Sequence, residues 1–344
     1  MLTLPEMPVA AWHPGIHISP RVTPSDRVSR FVESAGQEYT APAITFSDPQ
    51  PIVVAGGRFA VLSRDGGLDL NSIHTLGAHH WHQLFAGVQR SVVHPATGMA
   101  PLVAGNSGKD AYFHMLLETM GAVLAYRALG HGDAPVIVPP LDAEWRRDLA
   151  AFLAPDTTWI EVPGDALASF DRAVLTNMTG RSSGFAPHPH VLALFAQAAA
   201  PLPRSGRGRR LYISRRDAPD RRPMRNEAEL IALLQARGFY VLTPGGLSPA
   251  EQAATFRDAA VIVGPHGAGL ANLLYCRNGS QGPKMLELLS EGYPGRCYVK
   301  LAQAKGLAYA ALINSEVETA DHFHRSAWEC DLDMVRAILP HLDA

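Results

Sequence analysis

Short apolar runs alternate with longer segments of helical spacing in the C-terminal part of the chain. The runs predict strands at Arg210–Ser214, Phe239–Thr243, Ala260–Val263 and Met285–Leu289. The segments between and after them predict helices at Asn226–Arg237, at Ser248–Arg257, around Asn272 and at Asp331–Leu342. Ser248 and Pro249 suit the N-cap and the first helical position. Because strands and helices that alternate in this way form parallel sheets, this part is predicted to be α/β and Rossmann-like.

The pattern of the N-terminal part is less regular. Apolar runs at Pro51–Ala55, Phe59–Ser63 and 135–140 predict strands, and helices are predicted at Ala111–Leu129 and Glu144–Leu153. Residues 201–208 have no apolar periodicity and are rich in Pro, Gly and Arg, which is typical of a linker. We therefore predict an N-terminal domain over residues 1–204 and a C-terminal domain over residues 205–344. One alternative stays open, in which the last helix packs back on the N-terminal domain.

Composition narrows the class of protein. A chain of 344 residues exceeds what one core usually organises, and 47% hydrophobic with 18% charged residues is typical of a globular enzyme. The net charge of -2 does not favour nucleic-acid binding. No signal peptide, membrane span or cysteine pair is apparent, so we expect a cytoplasmic protein with reduced thiols at Cys276, Cys297 and Cys330. Peripheral membrane association and the oligomeric state stay open.

A glycine-rich turn follows the predicted strand Ala260–Val263. Gly264, Gly267 and Gly269 allow tight turning and close approach of backbone N–H groups to a ligand. The helix that begins here, with Ala268 and Leu270, would turn unpaired N–H donors toward a diphosphate, and His266 would add a hydrogen bond or a charge. The alternative is a structural turn between strand and helix. The spacing is not GxGxxG, which weakens a dinucleotide interpretation.

An arginine-rich loop follows the first C-terminal strand. Arg215 comes directly after Ser214, at the strand end where α/β sheets bind ligands. The guanidinium group matches phosphate oxygens, so Arg215 is the favoured anion ligand. The loop also contains Arg216, Arg221, Arg222 and Arg225. For Arg216, Arg221 and Arg225 the alternative is a solvated basic loop.

Two carboxylates accompany these motifs. Glu287 lies in the predicted strand Met285–Leu289 and could accept hydrogen bonds from ribose hydroxyls, or form an ion pair with an arginine. Glu227 could simply favour the start of its helix.

Together these motifs resemble glycosyltransferase family 61. The resemblance is carried by ISR before Arg222 and Asn226–Glu227, by GPHGAGLANLLYC, by MLELL, and more weakly by Tyr112–Glu118. It implies a GT-B fold with two Rossmann-like domains facing a cleft, inverting chemistry, and a nucleotide-sugar donor that is commonly UDP-linked. The matching positions are Arg215, Asn226, Glu227, His266, Gly267, Gly269, Asn272 and Glu287.

The sequence departs from the family pattern at two places. Glu118 is followed by TMGAV instead of a Pro-Arg pair, and Pro223 stands between Arg222 and Asn226. These departures leave the acceptor and the catalytic base open.

Candidate acid–base residues lie on the helix Ala111–Leu129. His114 and Glu118 are four residues apart, so the carboxylate can orient the imidazole. We predict His114 as the base or as a group that positions the acceptor, with Glu118 as its partner. The alternative is a packing histidine with a buried carboxylate. Asp110 is either a third candidate or the N-cap.

Metal sites are not favoured by the sequence. His74, His79, His80 and His82 cluster without a carboxylate or cysteine pattern. Asp331 and Asp333 form a DxD sequence but open a predicted helix, where acidic residues are favoured by the dipole.

We therefore predict an inverting glycosyltransferase that needs no metal or other cofactor. It would transfer a sugar from a nucleotide-diphosphate donor to a glycan or polysaccharide acceptor. Two alternatives stay open: a polysaccharide pyruvyltransferase-like enzyme, and a non-catalytic nucleotide-sugar-binding module.

Overall fold

The computed structural model divides the chain into two compact units. It describes residues 1–63, 65–73, 83, 85, 87–96, 98–106, 108, 110–179, 185–321 and 325–343. The N-terminal unit comprises Met1–Met7 and Thr40–Leu194, and the C-terminal unit comprises Pro8–Tyr39 and Phe195–Ala344. Within the described residues, no helix has the length and apolar character required to span a bilayer.

The C-terminal unit contains a six-stranded parallel sheet. Its strands, in spatial order, are Tyr240–Leu242, Arg210–Ile213, Val261–Pro265, Lys284–Ser290, Tyr309–Asn314 and Gly15–Ile18. A short antiparallel pair, Glu316–Glu318 and Ala327–Trp328, follows the sheet. The central strands are buried along their whole length, as expected for a parallel sheet covered on both faces. The predicted α/β class is confirmed.

Helices connect the strands of the C-terminal unit. They are Asp26–Ser34, Glu227–Gln235, Pro249–Asp258, Cys297–Lys305 and Leu332–Asp343, with 3₁₀ helices at Pro244–Gly246, Ala268–Tyr275 and Gly279–Gln281. Ser248 is the N-cap of Pro249–Asp258, as the sequence predicts, and the structure adds a capping box with Glu251. The closing helix contributes Val335, Ile338 and Leu339 to the core of this unit, so it belongs here and not to the N-terminal domain.

The N-terminal unit is built from smaller sheets. A parallel sheet has the order Trp159–Glu161, Val136–Val138, Leu102–Val103. A mixed sheet has the order Ala60–Ser63, Gln50–Ala55, Ala166–Ala173, Arg90–His94. Leu2–Leu4 pairs with Ile44–Phe46. The strands Met7–Val9 and Tyr39–Ala41 include two of the points at which the chain passes from one unit to the other. The antiparallel pairs differ from the Rossmann-like domain implied by the family resemblance.

The predicted helix Ala111–Leu129 has three parts. An α-helical turn at Tyr112–His114 leads into a π-helical segment, Met115–Met120, and then into an α-helix, Gly121–Ala128. Such π segments are rare and frequently lie at functional sites. The remaining helices are Leu70–Ser72, Glu144–Leu153, Asn177–Thr179 and Pro189–Ala199.

The two units do not follow the predicted boundary at residues 204 and 205. The C-terminal unit begins at Phe195 in this region and also includes Pro8–Tyr39. The reason is that Gly15–Ile18 forms the edge strand beside Tyr309–Asn314. A pairing between strands so distant in sequence leaves no local pattern.

Candidate functional site

Two arginine side chains converge on one backbone carbonyl in the C-terminal unit. Arg215 follows the strand Arg210–Ile213, and its Nη1 donates to the carbonyl oxygen of His266 over 2.6 Å. Arg222 Nη2 donates to the same oxygen over 3.2 Å. Burial lowers the pKa of Arg215 to about 10, and the positive charge of Arg222 adds to this effect. The chain therefore holds two positive charges together at an energetic cost that a bound anion would offset.

Arg222 has an unusual backbone conformation. Its φ is 53°, in the left-handed region that non-glycine residues rarely adopt. Its carbonyl accepts from Trp328 Nε1 over 3.0 Å, and Trp328 is 2% exposed. The Arg222 guanidinium lies 4.8 Å from the centre of the Tyr293 ring. Trp328 thus holds the backbone of Arg222, and the Tyr293 ring holds its guanidinium.

Backbone donors lie beside Arg215. Within the described part of the chain, the N–H groups of Gly267, Ala268 and Gly269 have no hydrogen-bond partner. Gly267 is in an extended conformation immediately before the helix Ala268–Tyr275. A Cβ on Gly267 would lie only 2.9 Å from Arg215 Cδ and Nε, so glycine is needed for this approach.

These donors line a pocket at the carboxyl ends of the strands. It is lined by Ile213, Ser214, Arg215, Asp217, Pro244, Pro265, Gly267, Ala268, Gly269 and Leu270. The sequence prediction that Arg215 and the glycine turn lie together is therefore met by the geometry. Unpaired N–H groups and a guanidinium around one pocket can bind phosphate oxygens.

The His266 side chain has a different environment from the pocket. Its Nδ1 lies 2.5 Å from Glu287 Oε1, and Tyr309 donates its hydroxyl to Glu287 Oε2 over 2.5 Å. Glu287 has no exposed surface. The expected contact between Glu287 and a ribose hydroxyl is therefore not supported, because the carboxylate is sealed from solvent and both oxygens are used. Glu287 orients the His266 ring, and His266 contributes its carbonyl to the arginines.

An aromatic cluster that the sequence analysis missed encloses His266. The rings of Tyr293 and Tyr298 lie 5.3 and 5.1 Å from the imidazole, centre to centre. Tyr298 also donates its hydroxyl to the Gly267 carbonyl over 2.5 Å. A Cβ on Gly295 would meet the imidazole at 2.4 Å. The signal available in the sequence was the turn EGYPG, which comes directly after the strand containing Glu287.

Three other residues that were predicted to bind the sugar donor hold the backbone in place and do not line the pocket. Asn226 bonds the backbone of Cys330 in both directions, over 2.8 and 2.9 Å. Glu227 Oε1 accepts from the hydroxyls of Tyr212 and Ser214 over 2.9 and 2.8 Å. Asn272 is fully buried and donates to Gln252 and to the Gly269 carbonyl. These residues hold the strand end and the glycine turn in place.

The remaining members of the two motifs do not line this pocket. A Cβ on Gly264 would lie 3.0 Å from Ile213 Cβ and 3.1 Å from Leu270 Cδ2, so this glycine allows close packing of strand and helix. Arg216 lies 3.9 Å from Glu227, Arg225 pairs with Glu318, and Arg221 is exposed. The interpretation as a solvated loop fits these three arginines.

The predicted acid–base pair is present in the N-terminal unit. His114 Nδ1 lies 2.9 Å from Glu118 Oε1, and Asn106 donates to Glu118 Oε2 over 2.5 Å. Glu118 also lines a pocket with Asn177, Met178, Phe185 and His188, among others. Asp110 forms an ion pair with Arg146 over 2.9 Å, and the N-cap position is Ala111. The N-cap interpretation of Asp110 is therefore wrong.

The structure describes only one of the two candidate metal motifs. His74, His79, His80 and His82 lie outside the described residues. Asp331 Oδ1 accepts from the backbone N–H of Met334 over 3.1 Å and so caps the last helix, as predicted.

Comparison with known families identifies the chain. The model of the family glycosyltransferase 61 matches residues 112–282, which include both the His114–Glu118 segment and the glycine turn. No curated protein matches the chain significantly. The family assignment predicted from the sequence is confirmed: the chain belongs to glycosyltransferase family 61.

Proposed function

We propose that this glycosyltransferase is an inverting, metal-independent enzyme of the GT-B class that uses a nucleotide-diphosphate sugar. UDP is the favoured nucleotide, and a glycan or polysaccharide is the acceptor. The single observation that carries the proposal is the approach of Arg215 to the unpaired N–H groups of Gly267, Ala268 and Gly269. Inverting chemistry and a UDP-linked donor are what the family resemblance implies.

The pocket provides the charge stabilisation that this reaction needs. When the glycosidic bond breaks, negative charge develops on the departing diphosphate. Fixed donors stabilise such charge without reorganisation. The Arg215 guanidinium forms only one hydrogen bond within the described residues, so its other N–H groups are available to phosphate oxygens. Arginine and backbone donors can supply the positive field that a divalent metal supplies in other transferases.

The N-terminal unit contains the proposed base. Nδ1 of His114 is held by Glu118, so Nε2 can accept the proton of an acceptor hydroxyl while the carboxylate stabilises the resulting imidazolium. Asn106 fixes the other oxygen of Glu118. His114 is thus prepared for one tautomer, with the proton on Nδ1.

The test is Arg215→Ala, with Arg216→Ala as the matched control. Both changes remove one arginine from the same loop, but Arg216 points away to Glu227 and its side chain is 57% exposed. Release of UDP from a panel of UDP-sugars is measured with added oligosaccharide acceptors, with and without EDTA. We expect Arg215→Ala to lower kcat/KM by about 100-fold, the cost of one oxyanion donor. Arg216→Ala should retain near-normal turnover.

Four results would contradict the proposal. Equal turnover of Arg215→Ala and the parent chain would exclude the diphosphate role. Loss of activity in EDTA would exclude metal independence. Binding of UDP without its release under any acceptor would favour a non-catalytic module, and turnover of phosphoenolpyruvate would favour pyruvyl transfer.

A further inference from the structure

A second arginine-lined pocket lies at the amino ends of the strands of the C-terminal sheet. Its lining residues are Arg204, Ser205, Gly206, Arg207, Arg209, Arg257, Asp258, Ala259, Arg277 and Gln281. All of these segments precede their strands, whereas Ser214, Arg215 and Gly267 follow theirs. Because the sheet is parallel, the two pockets lie at opposite ends of the strands. They are separated by the strand length, on the order of 15 Å. The second pocket is therefore distinct from the proposed donor site.

The charges in this pocket are not balanced. Arg207 pairs with Glu251 over 3.2 Å, and Arg257 pairs with Asp258 over 2.8 Å. In the described part of the chain, the other three arginines form no ion pair. They are Arg204, Arg209 and Arg277, and all three are exposed. Like charges that share one concave surface focus a positive potential there.

Hydrogen bonds of a buried arginine hold the backbone around this pocket in a fixed position. Arg257 is 8% exposed, and its guanidinium donates to the carbonyls of Ala199, Leu202 and Pro203. These bonds hold the linker that carries Arg204 and Arg207. The backbone N–H of Ser205 donates to Asp258 Oδ2 over 2.9 Å. Although burial opposes it, hydrogen bonds from Ser205 and Arg257 hold the pKa of Asp258 below its ordinary value.

The size of the pocket indicates more than a single bound ion. Its volume is about 360 Å³, which lies within the range of small-molecule sites. Arginine presents a planar fork that matches phosphate oxygens, and three such groups suit a ligand with more than one negative charge. The lining contains no large apolar side chain, so the recognition would be electrostatic.

We propose that this pocket is a second anion site, which binds a ligand carrying a phosphate or diphosphate group. It does not depend on the proposed donor site or on the catalytic reaction. The group could belong to a soluble molecule or to a lipid headgroup, because both present the same oxygens to Arg204, Arg209 and Arg277.

Inorganic pyrophosphate is the probe, titrated into the full chain by calorimetry at low ionic strength. The double change Arg204→Ala with Arg277→Ala tests the new site, and Arg215→Ala tests the donor site. We expect two binding events, of which each change removes one. In the Arg215→Ala background, losing Arg204 and Arg277 should weaken the remaining binding by at least roughly tenfold. Arg237→Ala is the control, since Arg237 is also exposed but does not line this pocket.

The possible outcomes decide between clear alternatives. A single binding event that disappears with Arg215→Ala would overturn the proposal, and so would an equal loss from Arg237→Ala. If Arg215→Ala removes no event while the double change removes one, the donor assignment fails and the second site stands, so the two failures are distinguishable. Co-sedimentation of the Arg215→Ala chain with phosphatidylglycerol vesicles, but not with phosphatidylcholine vesicles, would identify a headgroup as the source. Pyrophosphate binding without vesicle binding would identify a soluble anion.

Discussion

Gly267→Ala offers a sharp test of how the donor pocket is organised. The added Cβ would lie 2.9 Å from Arg215 Cδ and Nε and 3.1 Å from Cζ. Carbon contacts are normally about 3.5–4.0 Å, so the guanidinium must move by roughly half an ångström or more. The backbone itself accepts alanine without strain, because φ is 178°. The substitution therefore acts through Arg215 and leaves the fold intact.

The expected loss follows from the contacts of Arg215. Movement of the guanidinium breaks its 2.6 Å hydrogen bond to the His266 carbonyl and misaligns it with the diphosphate. A hydrogen bond to a charged group is worth about 1.5–3 kcal/mol, so UDP binding should weaken by about 10- to 100-fold. Calorimetric titration with UDP measures the affinity, and thermal unfolding confirms that the chain remains folded. Gly246→Ala is the matched control, since nothing lies within 4 Å of its added Cβ.

A double-mutant cycle identifies the path of the effect. If Gly267→Ala acts through Arg215, it should cost little further affinity in the Arg215→Ala background. Additive losses in the double variant would refute this reasoning, because they would show that the alanine methyl blocks the ligand directly. Unchanged UDP affinity in Gly267→Ala alone would refute it as well.

Three further predictions concern other parts of the chain. Tyr309→Phe removes the hydroxyl that donates to the sealed carboxylate of Glu287, and urea unfolding should show a loss of about 1–2 kcal/mol, whereas equal stability would contradict the role of this bond. Burial lowers the pKa of Lys305 to about 8, so the unfolded chain binds more protons above that pH and stability should rise from about pH 8 to pH 10. In urea unfolding, Lys305→Met should abolish this rise of stability with pH, and at pH 7 its free energy of unfolding should be higher by about 2 kcal/mol. If stability still rises with pH in this variant, Lys305 is not the source. His114→Ala should lower kcat by about 100- to 10,000-fold while UDP affinity stays constant, and near-normal turnover of the folded variant would exclude it as the base.

Local signals in the sequence were sufficient for many elements of the C-terminal unit. Ser248 and Pro249 predict a helix start that the structure confirms. The strand before Arg215 could be placed because its apolar run is short and bounded by polar residues. Strand polarity in a parallel sheet then brings Arg215 beside the glycine turn. This inference needs no knowledge of side-chain packing.

The orientation of buried polar side chains could not be predicted in the same way. Glu287 occupies a strand in which every residue from Met285 to Ser290 is buried, so an alternating pattern does not reveal which face it points to. Its partner Tyr309 comes from the next strand and therefore depends on the register between strands. The π segment Met115–Met120 was also hidden, since its apolar spacing fits an α-helix equally well. These features depend on tertiary packing.

The edge strand Gly15–Ile18 has a consequence for how the chain reaches its native state. It is synthesised long before its neighbour Tyr309–Asn314 emerges from the ribosome. Until then the early segment has no partner, and contacts that distant in sequence form slowly. A fragment starting at residue 205 would, conversely, leave the fully buried strand Tyr309–Asn314 with an open hydrogen-bonding edge, which invites aggregation. Expression of the C-terminal unit as a separate protein therefore requires the segment Pro8–Tyr39 to be supplied with it.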